Sequence, residues 1–138
     1  MKIRLAADSS SNIHAMPGLD YTAAPLTIVA GEKEYVDVPS LDVEKMMRGL
    51  KEHKGRSSTA CPGVGDWLEA FGDADIVYGV AITSNLSGAW NAANIAAEQY
   101  MEEHPGRKVF ILDSLSTGPE MELILEKYQE LILAGLSL

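Results

Sequence analysis

Residues 76–90, IVYGVAITSNLSGAW, decide how this chain is read. Apolar side chains fill nearly every position of 76–82, the pattern of a strand covered on both faces, so this strand lies centrally in a sheet. Thr83, Ser84, Asn85 and Ser87 then crowd into the turn before a helix. The helix is expected to begin near Leu86, with Leu86, Trp90, Ala93, Ala97 and Tyr100 at helical spacing, and His104-Pro105-Gly106 stops it. No histidine, carboxylate or cysteine stands among these hydroxyls, so the turn reads as a place that holds something.

Working outward, residues 3–7 form a short apolar strand closed by Asp8-Ser9-Ser10-Ser11, and residues 25–30 form a second, closed by Gly31. Residues 32–38 read as an extended edge. Ser40 is placed to cap a helix over 41–53, on which Leu41, Met46, Met47 and Leu50 share an apolar face. Residues 57–63, SSTACPG, read as a loop, and Asp66 as the cap of a short helix carrying Trp67, Leu68 and Phe71. Another strand, 109–112, ends in Asp113-Ser114. Strands alternating with helices predict a parallel sheet with helices on both sides, because parallel neighbours need a crossover. The fold class is α/β. In the last helix Met121, Ile124, Leu125, Tyr128, Leu131 and Ile132 make one apolar face, while Leu123, Leu133, Leu136 and Leu138 lie outside it. Such a helix expects cover on more than one side, so we expect it to be the surface for association with a second copy or another polypeptide.

The chain has 138 residues, 46% hydrophobic and 22% charged, which suits one domain over 1–138. Its formal net charge of -9 argues against nucleic acid or an anionic membrane as the main partner. Residues 98–103 read as a solvated acidic face. A single cysteine, Cys61, excludes an internal disulfide and a structural zinc site. His14, His53 and His104 are scattered, and neither SGAWNAA nor GVGDW meets a nucleotide-loop signature. We therefore expect no cofactor, no metal and no catalytic set. The N-terminal apolar run is too short for a signal peptide, and no segment is long enough to span a membrane. A soluble, cytoplasmic protein is expected.

The strand-end polar cluster of Asp8, Ser9, Ser10, Asp113 and Ser114, together with residues 83–85, gathers at the carboxyl edge of the sheet, where open α/β sheets bind ligands. Helices that start there aim free N–H groups at an anion, and the hydroxyls add neutral donors. The same residues are also ordinary caps, and Asp8 with Asp113 would be the pair to consider for a metal. Besides binding, two readings stay open: an enzyme acting on a small phosphorylated metabolite, or an interaction domain without a ligand.

Four blocks then carry a resemblance. DSSSN, STACPGVGDW, AITSNLSGAWNAA and FILDSLSTGPE are similar, in order and over essentially the whole chain, to the N-terminal domain of the DegV family of bacterial fatty-acid-binding proteins. The resemblance implies a three-layer, parallel-sheet sandwich and a long-chain fatty acid in a tunnel between two domains. It implies that strand-end hydroxyls hold the carboxylate and that a separate fatty acid kinase subunit phosphorylates the acyl group. Thr59 stands at the family's threonine, while Ala60 and Cys61 replace its Ser and Gln. Ser84 and Ser87 are kept from the family's Ser-Ser-x-Leu-Ser-Gly-Thr block with Asn85 and Gly88 beside them, and Ala89 replaces its closing threonine. The carboxylate site implied is Thr59, Ser84, Asn85, Ser87 and Gly88. The family's second domain, with its remaining contacts, is not expected within these 138 residues.

Overall fold

The computed structural model describes residues 1–135. In chain order the elements are β1 (Ile3–Asp8), a 3-10 turn (Ser9–Ser11), β2 (Asp20–Ala24), β3 (Thr27–Ala30), β4 (Lys33–Val36), α1 (Val43–Glu52) and β5 (Ser57–Ala60). They continue with α2 (Val64–Phe71), β6 (Ile76–Ala81), α3 (Ala89–Glu103), β7 (Lys108–Asp113) and α4 (Pro119–Leu133). A parallel sheet has the order β2-β1-β6-β7, and β4-β3-β5 form a second, antiparallel sheet.

The parallel sheet is the middle of three layers. On one face Trp67 and Phe71 of α2 and Ala93, Ala96, Ala97 and Tyr100 of α3 pack on Ala6, Val77 and Ala81. Alanines at these α3 positions let the helix approach the sheet closely. The Tyr100 hydroxyl, carried into the core, donates to Ala74 O at 2.7 Å, which removes the cost of burying it. On the other face Met121 and Leu125 of α4 cover Leu5, Ala7, Tyr78 and Val80. β6 is central, as its apolar run requires, and Gly79 is where a side chain would run into Ile111. Arg4 joins β1 to its neighbours, pairing with Asp20 at 3.0 Å and donating to the C-terminal carbonyls of α2 at Ala70 and Phe71.

Several expectations are corrected in detail. The apolar run at 25–30 is not a strand of the parallel sheet: its last four residues are β3, and the residues read as an edge contain β4, its antiparallel partner. The parallel neighbour of β1 is instead β2, and Pro25, without an N–H, follows its last residue. Residues 57–60 are a strand, not loop. α1 is capped by Asp42, whose side chain accepts from Lys45 N, and not by Ser40. Asp66 sits inside α2, at its third position, and accepts from Gly63 N at 2.8 Å, so it satisfies the amide of the cap residue without being the cap. α3 begins at Ala89 rather than near Leu86 because residues 83–86 are held in a turn, with Leu86 N on Thr83 O at 3.1 Å.

The end of β1 is the tightest junction. Asp8 is fully buried, caps the 3-10 turn through Ser10 N and Ser10 Oγ, and accepts Ile82 N at 2.6 Å. Ser9 Oγ accepts Leu26 N at 2.9 Å, and Ser10 O accepts Gly118 N at 3.1 Å. Burial raises the Asp8 carboxyl above its ordinary value of 3.8, against the lowering effect of its hydrogen bonds. The native protein therefore holds this proton more tightly than the unfolded chain. That contribution favours the fold fully below pH 3.8 and is lost as pH rises through the native pKa. Asp8→Asn removes this slope, and having one acceptor oxygen where Asp8 uses two, it lowers stability at neutral pH by about 1–3 kcal/mol. Urea unfolding of both proteins between about pH 4 and 8 reads the two effects. Superimposable curves would show that the carboxylate is not the tie.

Candidate functional site

Two pieces of chain meet at the carboxyl edge of β6. One is β5, which hydrogen-bonds to β3 with Thr59 opposite Ile28 and turns at Cys61 into buried Pro62 and α2. The other is the segment 82–88, which leaves β6 and starts α3. Thr83 organises it: Thr83 N donates to Ser116 O at 2.9 Å, and its Oγ1 accepts Asn85 N at 3.3 Å. Between the two pieces lies a cavity of about 280 Å³. Thr59, Cys61, Ser87 and Gly88 form its polar part, and Leu26, Ile82 and Leu86 its apolar part.

At the start of α3, Ser87 Oγ accepts Ala89 N at 3.2 Å. Ser84 N is bound by Asp113 Oδ1 at 3.1 Å, which also accepts Leu115 N at 3.1 Å. The Ser84 hydroxyl holds the Asp113 carboxyl below its ordinary 3.8. With Thr83, Asn85, Leu86 and Ala89 likewise occupied, the amides of Ser87 and Gly88 stand beside the cavity without an intramolecular acceptor among the described residues. The positive end of a four-turn helix adds to them, so the cavity beside this helix start suits an anion.

The expected residues divide into three groups. Thr59, Ser87 and Gly88 line the cavity together. Ser84 and Asn85 lie on the same loop, exposed to solvent and beside the lining. Asp8, Ser9 and Ser114 are buried and engaged internally, Ser114 Oγ with Ser116 at 3.2 Å, and half-buried Asp113 orders the loop through Ser84. Sequence reasoning missed the apolar lining of Leu26 and Ile82, which reach one cavity only because the antiparallel sheet docks beside β6. Cys61 is exposed at the cavity, and a side chain at Gly88 would begin 3.5 Å from its sulfur. Among the described residues no three His, Cys, Asp or Glu side chains gather as a metal site would require.

Comparison with known proteins gives consistent matches. The family described as "Uncharacterised protein, DegV family" matches residues 2–138. A DegV domain-containing protein of Streptococcus pneumoniae (strain ATCC BAA-255 / R6) is 38% identical over 141 residues, covering 99% of this chain and 50% of that protein. Among solved structures, a DegV family protein from Eubacterium eligens loaded with heptadecanoic acid is 47% identical, with a TM-score of 0.94, over 98% of this chain and 49% of that one. The Streptococcus pneumoniae Fatty Acid Kinase (Fak) B3 protein loaded with linoleic acid is 38% identical, with a TM-score of 0.95, over 99% of this chain and 50% of that one. The chain thus spans about half the length of the relatives it matches.

Proposed function

The chain belongs to the DegV family, and from that premise we propose that it is a fatty-acid-binding module whose carboxylate site lies between Thr59 and the loop 83–88. The observation that carries this reading is the mixed lining of the cavity: the hydroxyls of Thr59 and Ser87 and the free amides at the start of α3 share it with Leu26, Ile82 and Leu86. An amphiphile with a small anionic head needs that combination and needs no lysine. At about 280 Å³ the cavity falls just below the usual range for ligand sites, so it houses the head group and first carbons, and the rest of the acyl chain runs beyond it. Ser84, exposed at the loop, turns its one hydroxyl proton from Asp113 to the head group alongside Thr59, with Asn85 and Ser87 around them. The module is a cytoplasmic carrier that presents the acyl group to a separate fatty acid kinase subunit and performs no catalytic step itself. The neighbours loaded with heptadecanoic and linoleic acid support the ligand class, and the second is described as a Fatty Acid Kinase protein.

Thr59→Val combined with Ser84→Ala is expected to weaken binding of a long-chain fatty acid at least several-fold, because each hydrogen bond to a charged group contributes about 1.5–3 kcal/mol. Fluorescence displacement or calorimetry reads the change. Unchanged affinity in a folded double variant removes the pair from the site.

The second element of the reading is a partner on α4. Leu123 and Leu133 are exposed, and β7 leaves Phe110 and Leu112 half-exposed on the open edge of the sheet. Phe110 stacks on Tyr78 at 5.7 Å, and Tyr78 meets Tyr128 of α4 at 5.8 Å, so strand and helix share one apolar surface. Leu136 and Leu138, expected to extend it, lie outside the described residues. Patches of this kind on a protein surface mark interfaces. The 138-residue chain is expected to self-associate at micromolar concentration and to shift toward monomer on Leu133→Glu or Leu123→Glu. Sedimentation showing a strict monomer would mean that this face needs no cover.

A further inference from the structure

The antiparallel sheet and α1 form a second cavity, which the fatty-acid reading does not use. Its volume is about 400 Å³, within the range of small-molecule sites, and it lies between β4 and one face of the helix. Lys45, Arg48, Gly49 and Glu52 stand at i, i+3, i+4 and i+7, so they share that face. Lys33 and Tyr35, two residues apart on β4, share a side of the strand. Strand and helix come this close because residue 49 is glycine: a side chain there would run into the Tyr35 hydroxyl. No lining residue is shared with the cavity at Thr59.

The charges on this lining are not spent on one another. Lys33, Lys45 and Arg48 supply three cations, and Glu34 and Glu52 supply two carboxylates. Among the described residues the ion pairs engage Lys2, Arg4, His14 and Lys127 as their basic partners, and none of the five lining groups takes part. The surroundings do not swamp them either. Within residues 32–56 six cations balance six carboxylates, so the formal net charge of -9 belongs entirely to the rest of the molecule.

Three cations attract an anion, and two carboxylates accept hydrogen bonds while donating none. A ligand that satisfies both sets carries anionic groups and hydroxyls on one frame. Phosphate suits the cations: a guanidinium grips two of its oxygens in parallel, and lysines act on it as point charges. One phosphate group, at about -1.5 to -2, does not match three cations, so two phosphate groups are called for. Sugar hydroxyls suit the carboxylates, as an acidic side chain suits ribose in dinucleotide folds. We propose that this cavity binds a soluble sugar-bearing diphosphate, of which a nucleoside diphosphate is the compact example. Lys33, Lys45 and Arg48 hold the phosphates, and Glu34 and Glu52 hold the sugar. The site is built from side chains on a strand and a helix face and uses no glycine-rich phosphate loop.

Calorimetric titration of the 138-residue protein with ADP, pyrophosphate and glycerol 3-phosphate tests this, without divalent metal and at about 0.1 M salt to limit screening. ADP is expected to bind more tightly than pyrophosphate, and at least about tenfold more tightly than glycerol 3-phosphate, which resembles a lipid headgroup and lacks the second phosphate. Lys45→Gln with Arg48→Gln should weaken ADP at least about tenfold through the loss of charge-assisted bonds. Glu34→Ala with Glu52→Ala should tighten pyrophosphate, because repulsion is removed, and should abolish the advantage of ADP over it. These four positions are exposed, so circular dichroism should stay unchanged. In the parent protein, which needs no variant to fold, ADP should shift the amide resonances of residues 33–35 and 45–52. Absence of ADP binding, equal binding of glycerol 3-phosphate, affinity indifferent to the lysine and arginine changes, or an ADP preference that survives loss of both carboxylates would overturn the proposal. Fatty-acid affinity should be the same in these variants and the parent, so the two sites are tested independently.

Discussion

The carboxylate of Asp8 is the point on which the arrangement of the chain turns. It sits where β1 ends and reaches across to the amide of Ile82, so the exits of the two central strands are locked at one height. Ser9 and Ser10 then extend the lock to Leu26 before β3 and to Gly118 before α4. A buried acid with this many partners is costly to desolvate, and the raised pKa records that cost. Removing it would leave several donors without acceptors at once. The cavity wall at Ile82 and Leu26 hangs from these bonds, although Asp8 itself faces no ligand.

How far the sequence could be read follows from the kind of signal each element carries. β6 and α3 were legible because burial on both faces and helical recurrence are visible in residue types alone, and the apolar face of α4 was legible for the same reason. β5 was not: Ser57, Ser58, Thr59 and Ala60 are all exposed and show no apolar alternation, and the strand exists through backbone pairing with β3. β2 was missed because Ala23 and Ala24 are weak strand formers, and the pairing with β1 sustains them. The candidate site divides along the same line. Hydroxyls after strands are a local signal, as at Ser84 and Ser87, whereas the apolar lining depends on how two sheets come together, and no short stretch encodes that.

Charge shows the same difference between sum and distribution. A chain with a net charge of -9 reads as acidic throughout, yet all of that excess lies outside residues 32–56. The antiparallel sheet and α1 are electrostatically a separate patch. They are also a local one, since β3, β4, α1 and β5 follow one another in sequence, while the parallel sheet joins residue 2 to residue 75.

The cavity lies on a seam. Leu26 and Thr59 belong to the small sheet, while Ile82, Leu86, Ser87 and Gly88 belong to the exit from the large one. A molecule lodged there touches both bodies and prefers them joined, so its binding free energy is also adhesion between the sheets. The linkage runs both ways. A substitution outside the cavity lining that loosens the junction, at Ser9 for example, lowers affinity without touching the ligand. Occupancy in turn protects the slowest-exchanging amides along β3 and β5 from solvent.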